Sequence, residues 1–270
     1  MQSDELEESG KKHYRAVFLS DIHLGARGCQ AERLVAFLKA HTCDQLYLVG
    51  DIIDGWRLRS SFYWPQSHNN AVRRILTLVK RGTRLTYVTG NHDEFLRRYS
   101  ELVLGNISLV DRAVHETADG RRLLVVHGDQ FDVVTRYHRW IAFLGDIGYN
   151  LLLRLNRYLN WLRRKFGYGY WSLSAWIKHR VKQAVNYASD YERAVSHECR
   201  RRGFDGVICG HIHRAEIRDI DGIRYMNCGD WVESCTALVE DQNGVFRLID
   251  RSRNNPVVHV APVANLRRAG

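Results

Sequence analysis

A chain of 270 residues with 45% apolar content is long enough to build a sizeable core within one α/β domain. Forty Lys and Arg against thirty Asp and Glu leave a formal charge of +10, which points to an anionic partner: nucleic acid, a phosphorylated metabolite or an anionic membrane surface. Six cysteines without a C-x-x-C pair argue against a disulfide framework and for a reducing, cytoplasmic compartment, and no apolar run reaches the roughly 18–20 residues of a membrane span.

Residues 1–13 are acidic and polar, lack the apolar stretch of a secretory signal, and read as a disordered tail. From Ala16 a rhythm sets in, in which an apolar run ends in a small polar cluster and a helical pattern usually follows. "AVFLSDIH" opens it, and "QAERLVAFLKAH" places Leu34, Phe37 and Leu38 on one helix face. "LYLVGDIID" comes next, then a helical "NNAVRRILTLVKRG" closed by Gly82. "LTYVTGNHD" is the third unit, its residues 85–88 a buried strand. "AVHETADGRRLLVVHGD" reads as a hairpin turning at Asp119-Gly120 and ends in a fourth cluster. A fifth closes "GVICGHIH"; "IRYMNCGDW" and "TALVEDQNGVFRLID" supply the last strands, with a turn at Asn243-Gly244. Residues from about 133 to 197 break the rhythm. They read as a helical cap inserted into a domain of residues 14–253, and residues 254–270, with Pro256 and Pro262, as an irregular tail.

The clusters hold Asp21 and His23, then Asp51, then Asn91 and His92, then His127, then His211 and His213. Ligands of α/β sheets sit in the crevice outside the carboxyl ends of the strands, so side chains from different strand ends can meet there. In D-x-H and H-x-H, strand alternation would put both side chains of a pair on one side. Buried carboxylates and imidazoles are costly without partners, and a metal centre is the simplest partner for so many. An oxygen and nitrogen donor set without thiolate favours Mn, Fe or Zn. So many donors are more than one ion takes while keeping room for water, whereas two ions bridged by a carboxylate accommodate them. Such pairs, roughly 3.5–4 Å apart, generate a hydroxide near neutral pH and neutralise phosphate oxygens.

In order along the chain, "SDIH", "GDIID", "GNHD", "HGD" and "GHIH" resemble the calcineurin-like metallophosphoesterase superfamily over residues 16–232. The resemblance implies a four-layer αββα sandwich. It implies that Asp21, His23 and His213 hold one divalent ion, that Asn91, His127 and His211 hold the other, and that Asp51 bridges them. His92 would face the phosphate and assist the leaving group, with Asp54 orienting its ring; Asp93 would bind nearby backbone amides. Within the superfamily, "FLSDIHLG", "LYLVGDIIDGW" and the helical insert look most like UDP-2,3-diacylglucosamine hydrolases of lipid A synthesis, which typically use Mn. The chain departs from the best-known members at His92, where they carry arginine, and at Ile212, where they carry threonine. Hydrolysis of a lipid-linked diphosphate is the expected activity. Metal-dependent cleavage of nucleotides or nucleic acid is the alternative.

Between Arg136 and Lys182 stand ten Lys or Arg against one acid, Asp146, with four tryptophans, five tyrosines and a run of leucines. This composition suits helices that meet anionic lipid headgroups or hold acyl chains. It also suits a single-stranded nucleic-acid grip, or a cap with its own core and a solvated basic face. The leucines favour lipid and hence a peripheral position on the inner face of the inner membrane.

Overall fold

The runs read as strands are apolar at nearly every position because both faces of the sheet they form are covered. The computed structural model describes residues 11–131, 191–252 and, as backbone, 257–260. In chain order the elements are β1 (Lys12–Leu19), α1 (Ala31–Ala40), β2 (His41–Val49), α2 (Gly55–Ser60), α3 (Gln66–Lys80), β3 (Arg84–Val88), β4 (Leu102–Leu104), β5 (Ile107–Val110), β6 (Ala113–Glu116), β7 (Arg122–Val125), β8 (Gly206–Cys209), β9 (Glu216–Ile220), β10 (Ile223–Asn227), β11 (Thr236–Glu240), β12 (Phe246–Asp250) and β13 (Val257–Val260). They form two sheets, of order β13-β12-β11-β1-β2-β3-β5-β4 and β6-β7-β8-β10-β9. Residues 191–201 are helical.

Alternation along β1 and β2 assigns each side chain to one of two cores. Val17, Leu19, Leu46 and Leu48 pack with Leu34, Phe37, Leu38, Ala71, Ile75 and Leu78 of α1 and α3. Phe18, Tyr47 and Val49 face the other way, onto Leu123, Val125, Ile208 and Met226 of the smaller sheet. The result is a mixed α/β sandwich of two sheets with helices, the architecture expected from the motifs. The turns fall where glycine permits left-handed backbone: Gly120 (φ 78°) joins β6 to β7 and Gly244 (φ 77°) joins β11 to β12.

Three boundaries differ from the sequence reading. β1 begins at Lys12, inside the expected tail, because it pairs in register with β2 (Lys12 opposite His41) and His13 hydrogen-bonds Thr42 and Asp44. The expected irregular tail contains β13, whose Val-Val-His-Val run pairs antiparallel with β12; the flanking prolines concealed it. Helix α1 stops at Ala40, and His41 already belongs to β2. The chain divides into two compact units, Met1–Asp129 with Val195–Gly270, and Gln130–Ala194. Of the expected cap, about 133 to 197, residues 133–190, which include its basic and aromatic stretch from 136 to 182, lie outside the described residues. No helix among the described residues is long and apolar enough to cross a membrane. All six cysteines are free thiols; five are buried, and Cys29 is only half-buried.

Candidate metal centre

β1, β2 and β3 run parallel in the larger sheet, and β7 and β8 run parallel in the smaller one. Their carboxyl ends deliver the five polar clusters. The loops are laced by backbone bonds: Asp21 N–H donates to Gly50 O (3.1 Å), His23 N–H to Asp51 O (2.9 Å) and Gly210 N–H to His127 O (3.1 Å). Side chains tie them further, since Asp21 Oδ2 accepts from His211 N–H (2.9 Å) and Asp51 Oδ1 from His92 N–H (2.7 Å). Gly90 is required by close approach, because a Cβ there would stand 2.3 Å from Asp51 Oδ1.

The pairing of Asp21 with His23 and of His211 with His213 does not come from strand alternation, as the sequence reading supposed. Asp21 (φ 50°), His23 (54°), Asp51 (55°), His211 (71°) and His213 (54°) all adopt the left-handed region. Non-glycine residues rarely do so, and each costs of order 1 kcal/mol or more. Among the described residues eight non-glycine positions have positive φ, so five of the eight belong to this one place. Strain concentrated there is the mark of a site that the surrounding fold holds in shape.

The side chains converge. Asp21, His23 and His213 form one group of potential ligand atoms, and Asp51, His127 and His211 form a second. Asp51 Oδ2 lies 3.4 Å from His127 Nε2, 4.0 Å from His23 Nε2 and 3.9 Å from His92 Nε2, so one carboxylate oxygen reaches toward both groups. His213 Nε2 is 3.2 Å from Asp21 Oδ1. Yet Asp21 Oδ1, His23 Nε2, Asn91 Oδ1 and His127 Nε2 are buried without a hydrogen bond. Those of Asp21, His23 and His127 belong to the two converging groups, and orphaned atoms gathered in this way are what a protein leaves for cations to satisfy. His127 donates through Nδ1 to Val49 O (3.0 Å), which fixes the tautomer and aims Nε2 at Asp51. The donor chemistry and the unpaired atoms fit divalent metal.

Electrostatics point the same way. Burial is the largest single influence on His127 and pushes it down, but the carboxylates of Asp51, Asp21 and Asp129 together outweigh it and raise the imidazole to about 10. His213 rises to about 9, the carboxylates of Asp21, Asp230 and Asp51 together outweighing burial there. Burial raises Asp21 and Asp51, and the neighbouring imidazoles more than reverse that, leaving both carboxyls below the usual range. Without metal, therefore, both rings are protonated below about pH 9 and lose the proton as pH rises through their raised values. Coordination needs neutral rings. Loading with Mn near pH 7.5 is expected to release about two protons per chain, read from the dependence of calorimetric heat on buffer ionisation enthalpy, and affinity should climb with pH toward about 10, where the second ring is neutral. A buffer-independent heat would separate these imidazoles from the metal.

His92 Nδ1 and Asp54 Oδ1 are 2.9 Å apart, so the expected dyad is assembled. Asp54 does more than the sequence suggested: its Oδ2 lies 3.3 Å from His23 Nδ1, and its Oδ1 accepts from Arg57 N–H (2.9 Å) to cap α2. Burial pushes its carboxyl up, and the bonds to His23 and His92 bring it well below the usual range. Asp54→Asn keeps a capping oxygen but alters support for two rings. It is expected to lower turnover and also metal affinity, the latter by about 10–100-fold; metal titration beside steady-state rates checks this, and a loss of turnover alone would make His23 independent of Asp54. Asp93 accepts from Ile52 N–H (2.9 Å), Gly90 N–H and the Tyr87 hydroxyl (2.7 Å), the turn-bracing role expected of it.

Residues 14–215 match the calcineurin-like phosphoesterase family. The chain belongs to that family. Its phosphoesterase homologues bind divalent metals, and the clusters above fit that property. Among curated relatives it is similar to the UDP-2,3-diacylglucosamine hydrolase of Aeromonas salmonicida (29% identical, covering 83% of this chain and 88% of that one) and that of Pseudomonas paraeruginosa (28%, covering 84% and 95%). Among solved structures, the E. coli phosphoesterase Yfce aligns with a TM-score of 0.46 at 16% identity, covering 91% of this chain and 98% of that one. This phosphoesterase is a hydrolase by family and by the names of its relatives.

Two supporting features escaped the sequence reading. "NCGDW" reads in sequence only as the end of a strand. In the fold Asn227 Nδ2 donates to Gly210 O (2.8 Å), Trp231 N–H donates to Asp21 O (3.0 Å), and Ser20 Oγ donates to Gly229 O (2.7 Å), so this loop ties the first cluster to the last. Trp56 packs its ring 4.1 Å from that of His92. A sixth polar cluster after a strand was the available signal for the first; nothing in the spacing of Trp56 announced the second.

Proposed function

We propose that this phosphoesterase uses two divalent ions, Mn foremost, to hydrolyse the phosphoanhydride of UDP-2,3-diacylglucosamine or a similar lipid-linked diphosphate. The observation that carries it is Asp51: its Oδ2 stands between two groups of donors, 3.4 Å from His127 Nε2 and 4.0 Å from His23 Nε2, and Asp21 Oδ1, His23 Nε2 and His127 Nε2 are buried without a hydrogen bond. Asp21, His23 and His213 hold one ion, Asn91, His127 and His211 the other, and Asp51 both. When bound, such a pair supplies an activated water and neutralises phosphoryl oxygens. The chain's own groups do the rest. Asn91 and His92 meet the scissile phosphoryl group. His92, held by Asp54 through Nδ1, presents Nε2 to the departing oxygen and delivers a proton there. The substrate class follows the names of the relatives, and the net charge of +10 suits a polyanionic substrate. The basic, leucine-rich segment of residues 136–182 serves as a cap that grips acyl chains at the anionic inner face of the cytoplasmic membrane.

The test offers Mn-loaded protein UDP-2,3-diacylglucosamine, single-stranded DNA or RNA and bis(p-nitrophenyl) phosphate. UMP release from the lipid with no cleavage of nucleic acid is the expected result. Preferential cleavage of nucleic acid would overturn the lipid reading and make the cap a nucleic-acid grip.

A further inference from the structure

Beside the metal centre opens a cleft of about 550 Å³ whose lining includes His92, His213, Arg27, Arg57 and Tyr63. Among its described lining residues the one carboxylate is Asp54, and its oxygens already serve His23, His92 and Arg57 N–H. No described carboxylate pairs with the guanidinium of Arg27 or Arg57, and both residues are exposed. The Arg27 guanidinium is nevertheless placed. It lies over the Tyr63 ring at 4.5 Å, and Tyr63 packs edge-on against buried His68 at 5.8 Å. His68 Nδ1 accepts from Gly25 N–H (3.1 Å), which locks the loop carrying Arg27 to the segment carrying Tyr63. A cation held in place loses less entropy when an anion arrives.

In the proposed function two metal ions and His92 would meet the charge of the scissile phosphoryl group, so two further cations lining the same cleft are suited to a second negative group. His92, which also lines that cleft, would act on the leaving side. We infer that Arg27 and Arg57 form an anion subsite that holds the departing phosphate. This rests on the anhydride reading above and assigns residues to its leaving group. Water oxygen forms a new bond to phosphorus, and the bridging P–O bond breaks with its electron pair passing to the departing phosphate. His92 supplies that oxygen with a proton and recovers one from the water, whose remaining proton passes to solvent. Two phosphomonoesters result.

The test compares wild type with R27A/R57A and R27K/R57K, all Mn-loaded, on UDP-2,3-diacylglucosamine and on bis(p-nitrophenyl) phosphate, with α,β-methylene-UDP binding measured by calorimetry. Charge-assisted arginine–phosphate contacts predict that R27A/R57A loses on the order of 30-fold or more in kcat/KM on the diphosphate. That loss should exceed the loss on the simple diester by at least about tenfold, analogue binding should weaken by about tenfold, and the lysine pair should recover part of both. Equal losses on the two substrates, or analogue binding indifferent to the arginines, would overturn the subsite. Should wild type cleave the diester but no diphosphate, the proposed function fails, and analogue binding still decides the subsite on its own.

Discussion

Asp51→Asn is expected to reduce turnover by on the order of 10³-fold and to leave fewer than two Mn per chain after gel filtration, measured by elemental analysis. The substitution is chosen to separate charge from scaffolding. Asp51 Oδ1 accepts from His92 N–H at 2.7 Å, and the amide oxygen of asparagine can keep that bond, so the Asn91–His92 turn stays where it is. What is lost is the negative charge at Oδ2, the atom 3.4 Å from His127 and 4.0 Å from His23. With that charge gone, the main influence raising the His127 imidazole to about 10 is gone as well, and its value should fall toward or below the ordinary one. A histidine titration followed by NMR in the metal-free protein reads this directly. Retention of two ions at full occupancy would contradict a shared carboxylate.

His92→Ala has a different signature. The His92 ring is fixed on three sides, by Asp54 at Nδ1, by Trp56 at 4.1 Å between ring centres and by His23 edge-on at 4.7 Å, yet its side chain remains 20% exposed and open to substrate. Its removal leaves both donor groups intact, and the bond to Asp51 Oδ1 comes from the backbone and survives. Turnover should fall by about 10²–10⁴-fold, the range of a positioned general acid, with metal content unchanged. The loss should shrink when the leaving group is p-nitrophenolate, which departs without a proton. A loss equal for good and poor leaving groups would leave His92 an electrostatic role and remove the proton from it. Unchanged turnover would remove His92 from the mechanism.

Strands and helices of the first half were legible because their signals are local. Leu34, Phe37 and Leu38 share a helix face whatever surrounds them, and Gly82, Gly120 and Gly244 stand where left-handed backbone is needed. β13 and the start of β1 were not legible, since both exist through pairing with a partner strand that their own residues do not announce. In the site, the identities of the seven proposed ligands and of the His92–Asp54 dyad could be read because each cluster follows an apolar run. Their means of convergence could not. Five residues turn inward through left-handed backbone, a conformation non-glycine side chains do not signal and only surrounding structure can impose.

Residue chemistry along the chain therefore determined which donors are available, in what order, and the chain's excess of positive charge. Tertiary structure alone decided that Asp51 Oδ2 lies between two groups of donors, that Asp54 serves His23 as well as His92, and that Arg27 and Arg57 line one cleft with His92 and His213. The reason is range. Propensity and periodicity act over a few residues, whereas Asp21 and His211 are 190 positions apart and meet only once two sheets have packed.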